Sequence, residues 1–348
     1  MRLLSLLTLC SWSGLSLAAT VTDLPPGLGG TIDVDYQGSL LFRSLEEAGE
    51  VVGRGKVSRH DLLMSAELAP IDGVALLLQF PTTPYWHQSW SAAQEMRYDP
   101  AVEGGTYLGG DVLSDPPSLT ASGSEGMWLG VAGAPFSEAM YEKSLVSWRF
   151  EAATRLTAAK RTLWSEGLDG RGVSPGGHAT RLTAAFSTRR GVSDPYLRVQ
   201  WQREGAVELD LVDATGATLA SGVTVRPASR IEALGGAELR IADDGQGNRA
   251  VFDLFLGYGY HSWADVPSGI FLPDVLDLSA GKIVTQGEYL SGRAGFALDA
   301  VVYDYAHLRL GGEARGVSPH RLETAYPIYT GFDTVEAVWT VSVGGLIH

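Results

Sequence analysis

Two short stretches carry the residue types of a serine nucleophile site. Gly172-Val173-Ser174-Pro175-Gly176 has G-x-S-x-G spacing, and His178 follows closely. Such an elbow needs a strand before it, a helix after it, and an N–H on the residue after the serine to stabilise the oxyanion. That residue is Pro175, which has no N–H, and the surroundings are the glycine-rich stretch 158–177. Gly316-Val317-Ser318-Pro319-His320 nearly repeats the pattern, so a shared turn preference accounts for both. Ser174 and His178 are therefore read as turn residues, and no enzyme activity is expected from them. Metal chemistry has no firmer footing, because HExxH and clustered His/Cys spacings are absent and the seven histidines are scattered. Asp243-Asp244-Gly245-Gln246-Gly247-Asn248 has the composition of a calcium loop without its spaced ligands and closing Glu; it reads as a turn. No cofactor is expected.

What remains is charge placed at every second position. In 229–242, Arg230, Glu232, Glu238 and Arg240 alternate with Ile231, Ala233, Gly235, Ala237, Leu239 and Ile241. In 249–262, Phe252, Leu254, Leu256, Tyr258 and Tyr260 alternate with a set that includes Asp253 and His261. Strand side chains point alternately to opposite faces, so these runs predict a hairpin with one apolar and one polar face. Each run is about thirteen residues, against the usual five or six of a soluble strand. That length suits a membrane-crossing barrel.

The same alternation recurs along the chain. Strands are expected at 31–43, 61–69, 73–81, 127–134, 145–157, 179–189, 195–203, 229–242, 249–262, 288–298, 306–315 and 332–347. The stretch 44–60 reads as a charged connection and 82–125 as a long irregular loop, while 207–212 is a candidate short strand. Connections after odd strands run roughly 16 to 44 residues and those after even strands roughly three to ten. An up-and-down barrel with short periplasmic turns and long outer loops produces this asymmetry; a sandwich or propeller gives no reason for it.

Composition agrees. The 348 residues carry a formal net charge of −14 with 19 % charged residues, so nucleic acid is not expected as a partner. Arg2, the apolar run 3–9 and the small residues around Ala18 read as a secretory leader, 1–18, cleaved after 18 or 19. The only cysteine, Cys10, falls inside it. A periplasmic linker, 19–30, would follow, and then the barrel, 31–348. No later segment is apolar for long enough to be a membrane helix.

At this level of pattern the chain resembles a bacterial outer-membrane β-barrel protein, over nearly all of its mature length. The resemblance implies an all-β, antiparallel, up-and-down transmembrane barrel of about twelve strands in the outer membrane of a Gram-negative cell. It also implies contact with outer-membrane lipid and lipopolysaccharide, and with the outer-membrane assembly machinery. Such barrels usually end on an aromatic residue; this sequence ends Leu346-Ile347-His348, which departs from that pattern.

The inward faces then carry Asp33, Asp35, Glu151, Glu232, Glu238, Asp253, Glu313 and Glu336 against Arg149, Arg155, Arg181, Arg198, Arg230, Arg240, Arg293 and Arg309. The two signs nearly cancel, so opposed rows can fill the lumen or line a narrow eyelet. Tyr36, Phe42, Phe80, Trp148, Tyr258, Tyr260 and Trp339 face outward as candidate girdle aromatics. Acids of the outer loops, among them Glu46, Asp99, Asp111 and Glu166, form a solvated surface that could also bind divalent cations bridging lipopolysaccharide.

The expected function is a narrow passive channel or a closed structural barrel. The alternatives are a barrel-type lipid hydrolase and a secreted soluble β-sheet binding protein. The barrel lipases of the outer-membrane phospholipase type use Ser, His and Asn near the outer surface; the single Asn, Asn248, falls in a periplasmic turn.

Overall fold

A computed structural model describes residues 22, 27–47, 50–92, 118–124, 126–136, 146–156, 164–165, 177–188, 192–212, 218–267, 283–303, 305–323, 328–330 and 334–347. Twelve strands form a closed antiparallel wall. They are β1 (Gly29–Glu47), β2 (Glu50–Ile71), β3 (Val74–Ala92), β4 (Met127–Phe136), β5 (Val146–Leu156) and β6 (Ala179–Thr188). The second half is β7 (Ser193–Glu204), β8 (Arg230–Asp243), β9 (Arg249–His261), β10 (Tyr289–Val302), β11 (Ala306–Val317) and β12 (Val335–Ile347). Each pairs with its sequence neighbour, and β12 closes the ring on β1 from Gly30↔Ile347 to Phe42↔Val335. All twelve expected strands are present. No helix among the described residues is long and apolar enough to cross a membrane.

Alternation fixes the register, because a slip of one residue would turn every charge toward lipid. Along β5 the burial alternates residue by residue: Val146, Trp148 and Phe150 are exposed, Ser147 and Arg149 buried. A water-soluble sheet does the reverse. Leu254, Leu256, Phe296, Leu298, Leu310 and Val343 are all between 45 % and 69 % exposed, a belt whose only suitable solvent is hydrocarbon.

The turn between β8 and β9 shows how local sequence closes the wall. Gly245 and Gly247 take φ of 68° and 90°, a region open to glycine. The Asp244 carboxylate accepts from the N–H of Gln246 at 2.7 Å and from the side-chain amide of Asn248 at 2.6 Å. Those donors, Asn248 first, hold its carboxyl below the usual range. Asn248 Oδ1 in turn accepts from Tyr303 N–H, tying this turn to the next.

Four expectations change. Residues 44–60 are not a loop: β1 and β2 stay paired out to Glu47↔Glu50, because cross-strand bonding needs no apolar face once the hairpin has left the membrane. The irregular stretch 82–125 begins later, since β3 runs to Ala92 through a bulge near Pro84 and pairs with Ser118–Ser124. Val207–Val212 is a strand, but it pairs with Thr218–Val225 and Trp164–Ser165 outside the wall. The linker 19–30 ends early, as β1 starts at Gly29. The expected leader, and residues 93–117, lie outside the described residues.

Candidate functional site: the barrel lumen

Three consecutive strands set the lumen's layers. Counting inward-facing residues from the turn end, β7 presents Asp194, Tyr196, Arg198 and Gln200, and β9 presents Asp253, Phe255, Gly257 and Gly259. Running the other way, β8 presents Glu238, Gly236, Leu234 and Glu232. An acidic layer thus lies nearest the turns, an apolar layer above it, and a mixed belt of Arg and Glu beyond.

In the lowest layer Arg309 Nη2 lies 2.7 Å from Asp253, whose carboxylate also accepts from the Tyr196 hydroxyl at 3.1 Å. Asp33 sits 3.4 Å from His307 Nε2, Asp35 faces the lumen one step along β1, and Glu238 is buried. Arg240 stands apart. Its side chain is 31 % exposed at the rim, 3.4 Å from Asp243 and 3.8 Å from Asp194. It guards the mouth rather than lining the interior.

The apolar layer is built from Tyr196, Leu234, Phe255 and Ala185. Its two rings need flat ground. A Cβ at Gly295 would fall on the Phe255 ring, and one at Gly236 on the Tyr196 ring. The alternation pattern hid this layer, because Tyr196 and Phe255 are aromatic residues on the polar face. The signal that reveals it is a glycine across the strand pair from each: Gly236↔Tyr196 and Gly295↔Phe255.

In the mixed belt, Arg149 lies 2.6 Å from Glu67 and 2.7 Å from Glu151. Arg230 and Arg293 share Glu232, each at 3.6 Å. Arg315 is paired to Glu313 and lies 3.3 Å from Glu336. Arg155 lies 2.6 Å from Glu204, and its guanidinium and that of Arg181 both lie against the Trp128 ring, at 5.5 Å and 4.8 Å. Arg198 Nη2 donates to Gln200 Oε1 at 3.0 Å. Glu204, Trp128 and the glutamines join these charges, and Glu67 pairs with Arg149 from β2. Arg59, Asp61 and Thr83 form a further buried triad, with Thr83 Oγ1 2.6 Å from Asp61; the extension of β2 beyond its expected start brings Arg59 into it.

The outward aromatics divide. Trp148 packs edge-on to Phe186 at 4.7 Å near the turn end of the wall. Trp339 lies over Gly38, where a Cβ would collide with its ring, and Tyr36 hydrogen-bonds His60 beside it. Phe42, Tyr258 and Tyr260 are exposed to the outside. Phe80 is no strand-end residue, since β3 continues twelve residues past it.

Neither serine motif gains support. Ser318 Oγ accepts from the N–H of Leu290 at 2.9 Å and its own N–H donates to Leu290 O, which locks it as a turn. Ser174 and the loop acids Asp99, Asp111 and Glu166 lie outside the described residues. No group of three or more His, Cys, Asp or Glu among the described residues is arranged to hold a metal ion.

No family model matches the sequence, and no curated protein does. Solved structures do match in shape. An outer membrane channel from Pseudomonas putida F1 aligns with a TM-score of 0.50 at 13 % identity, over 94 % of this chain and 97 % of that one. A mutant of the TodX monoaromatic hydrocarbon channel aligns at 0.41 and 8 % identity, over 95 % and 93 %. The outer membrane protease OmpT from Escherichia coli aligns at 0.35 and 10 %, over 94 % and 100 %. The fold is that of a bacterial outer-membrane β-barrel. Folds of this kind host unrelated activities, so the lumen has to carry the functional argument.

Proposed function

We propose that this chain is an outer-membrane barrel whose lumen its own side chains hold shut in the conformation described, so that it is at most a narrow passive conduit. The observation that carries this reading is burial. Arg149, Arg155, Arg181, Arg198, Arg230, Glu232, Glu238, Asp253, Arg309, Glu313 and Glu336 face the lumen, yet each is less than a tenth exposed. A water-filled pore would wet them. A cavity of ≈ 40 Å³ beside Glu232, Arg293 and Glu336 has room for a few waters among these charges.

Twelve strands also stand between barrels that side chains fill and porins that hold a channel. Outer-membrane lipid and lipopolysaccharide are the partners such a wall would meet, with the assembly machinery inserting it. No catalytic role is proposed for Ser174 or His178. Proteoliposomes loaded with an impermeant polymer and diluted into small sugars test the reading. Swelling no faster than empty vesicles is expected; rapid swelling with a disaccharide contradicts it.

A further inference from the structure

A stack of rings fastens the outer end of the lumen. His261, the last residue of β9, lies face to face with Tyr289, the first of β10, at 4.3 Å and 8°. Tyr289 stacks in turn with His320, at 4.6 Å and 26°. The three are buried, at 2 %, 2 % and 6 % exposed. His320 belongs not to the wall but to the outer strand His320–Glu323, which pairs with Ile283–Gln286 and with Ile328–Thr330. The stack therefore pins that outer sheet to the mouth of the barrel. His261 also lines the cavity beside Glu232 and Arg293, so the stack borders the belt of Arg and Glu.

The hydrogen bonds of the stack suit uncharged rings. His320 Nδ1 lies 3.0 Å from the Ser318 carbonyl and its Nε2 2.8 Å from the Gln286 amide nitrogen, so a second proton would face a donor. His261 Nε2 lies 3.0 Å from Ser291 Oγ, and its Nδ1 is buried without a hydrogen-bond partner among the described residues. The charges around the rings are cationic in balance. Arg230, the direct partner of His261 on β8, acts on it together with Glu232, and Arg43 of β1 acts on His320. Glu232 is itself shared by Arg230 and Arg293, each at 3.6 Å. One cation against a tyrosine ring is tolerated. Two imidazolium ions against one ring, buried and flanked by two arginines, are not.

We propose that the His261–Tyr289–His320 stack is an acid-released latch. Uncharged, it holds the strands Ile283–Gln286 and His320–Glu323 on the barrel's mouth; protonation of the two histidines lets those strands lift away. The latch rests on the shut-lumen reading above and adds a condition under which the outer end gives way. A released imidazole takes up a proton below about pH 6.5, whereas burial, first among the causes, keeps the pKa of latched His320 at about 4. The released form therefore gains on the latched one as pH falls from 6.5 toward 4.

Amide exchange of the full-length barrel folded in detergent tests the latch where conduction plays no part. Protection factors, which divide out the intrinsic pH dependence of exchange, are compared at pH 7 and pH 5. His320 alone should lower protection at 283–286 and 320–323 about twentyfold over that interval, while mid-wall amides of β9 and β10 keep theirs. Combining His261→Gln with His320→Gln, neither of which can charge, should abolish the fall. His320→Phe is the second variant, because it keeps a ring against Tyr289 without the proton; it should lose most of the fall. Wild-type protection that is unchanged or rises on acidification overturns the proposal, as does a fall of wild-type size in both variants. Steady conductance at pH 7 with acid-sensitive protection overturns only the shut lumen; a silent barrel with pH-independent protection overturns only the latch.

Discussion

Arg309 on β11 and Asp253 on β9 meet at 2.7 Å across the strand between them, with side chains 2 % and 3 % exposed. The reach is possible because Ala297 on β10, directly beside Asp253, is small, and its own neighbour on β11 is Gly311. One ion pair thus bridges three strands, and the Tyr196 hydroxyl fastens it to β7. Removing one partner leaves a charge buried alone. Asp253→Ala should cost about 3–5 kcal/mol, and Arg309→Met added to it should recover much of that. Denaturant titration of the lipid-folded barrel, followed by its heat-modifiable gel band, measures both. Equal loss in the single and double variants would show that the pair does not act as a unit.

The outer wall predicts the opposite sensitivity. Leu254 is 48 % exposed on the face away from Asp253, where lipid is the solvent. Leu254→Arg should lose about 2–4 kcal/mol in bilayers, as charge near the midplane does in such barrels. If it unfolds at the wild-type midpoint, that face is not in lipid.

Two glycines separate packing from strand propensity. At Gly295 a Cβ would meet the Phe255 ring and, at 2.7 Å, the Glu313 Cβ, whereas at Gly292 it would meet nothing within 4 Å. Gly295→Val should destabilise by about 1–3 kcal/mol through overpacking. Gly292→Val should be neutral or mildly stabilising, since valine favours strands. Equal midpoints for the two variants would argue against an aromatic layer in the lumen.

His320, beyond the wall in the strand His320–Glu323, gives a pH signature. Burial, as the leading cause, lowers its pKa from 6.5 to about 4. Its Nδ1 lies 3.0 Å from Ser318 O and its Nε2 2.8 Å from the Gln286 amide, a geometry that suits neutral imidazole donating from Nδ1. The opened segment takes up a proton below about pH 6.5 and the closed one does not. Stability of this outer segment should therefore be full above pH 6.5 and fall as pH drops toward 4, by about 3 kcal/mol in all. Amide exchange around 318–323 at pH 7 and pH 5 reads the change, and His320→Gln should flatten it. Protection that rises on acidification would reverse the assigned sign.

Much of this was legible in the sequence because a membrane wall imposes a strict period. Ile231 to Ile241 against Arg230 to Arg240 marks β8 without help from any neighbour, and all twelve strands announce themselves in that way. Beyond the membrane the period no longer binds, so the alternation carries no sign that β1 and β2 extend past Arg43 and His60. The charges of the lumen could be placed on a face, but not paired. Arg149 meets Glu67 from β2, three strands away around the ring, and that depends on side-chain reach across the lumen. The layer of Tyr196 and Phe255 does not show in the alternation, because the polar face of an amphipathic strand gives no reason to expect a ring.

The central claim is that the lumen is shut, and single-barrel recording in planar bilayers tests it most directly. The wild type should insert, as its gel shift can verify, and stay electrically silent at neutral pH and moderate voltage. Phe255→Ala, which removes a ring from the apolar layer, should admit ions in brief steps. Long-lived conductance steps from the wild type, unchanged in Phe255→Ala, would contradict the account.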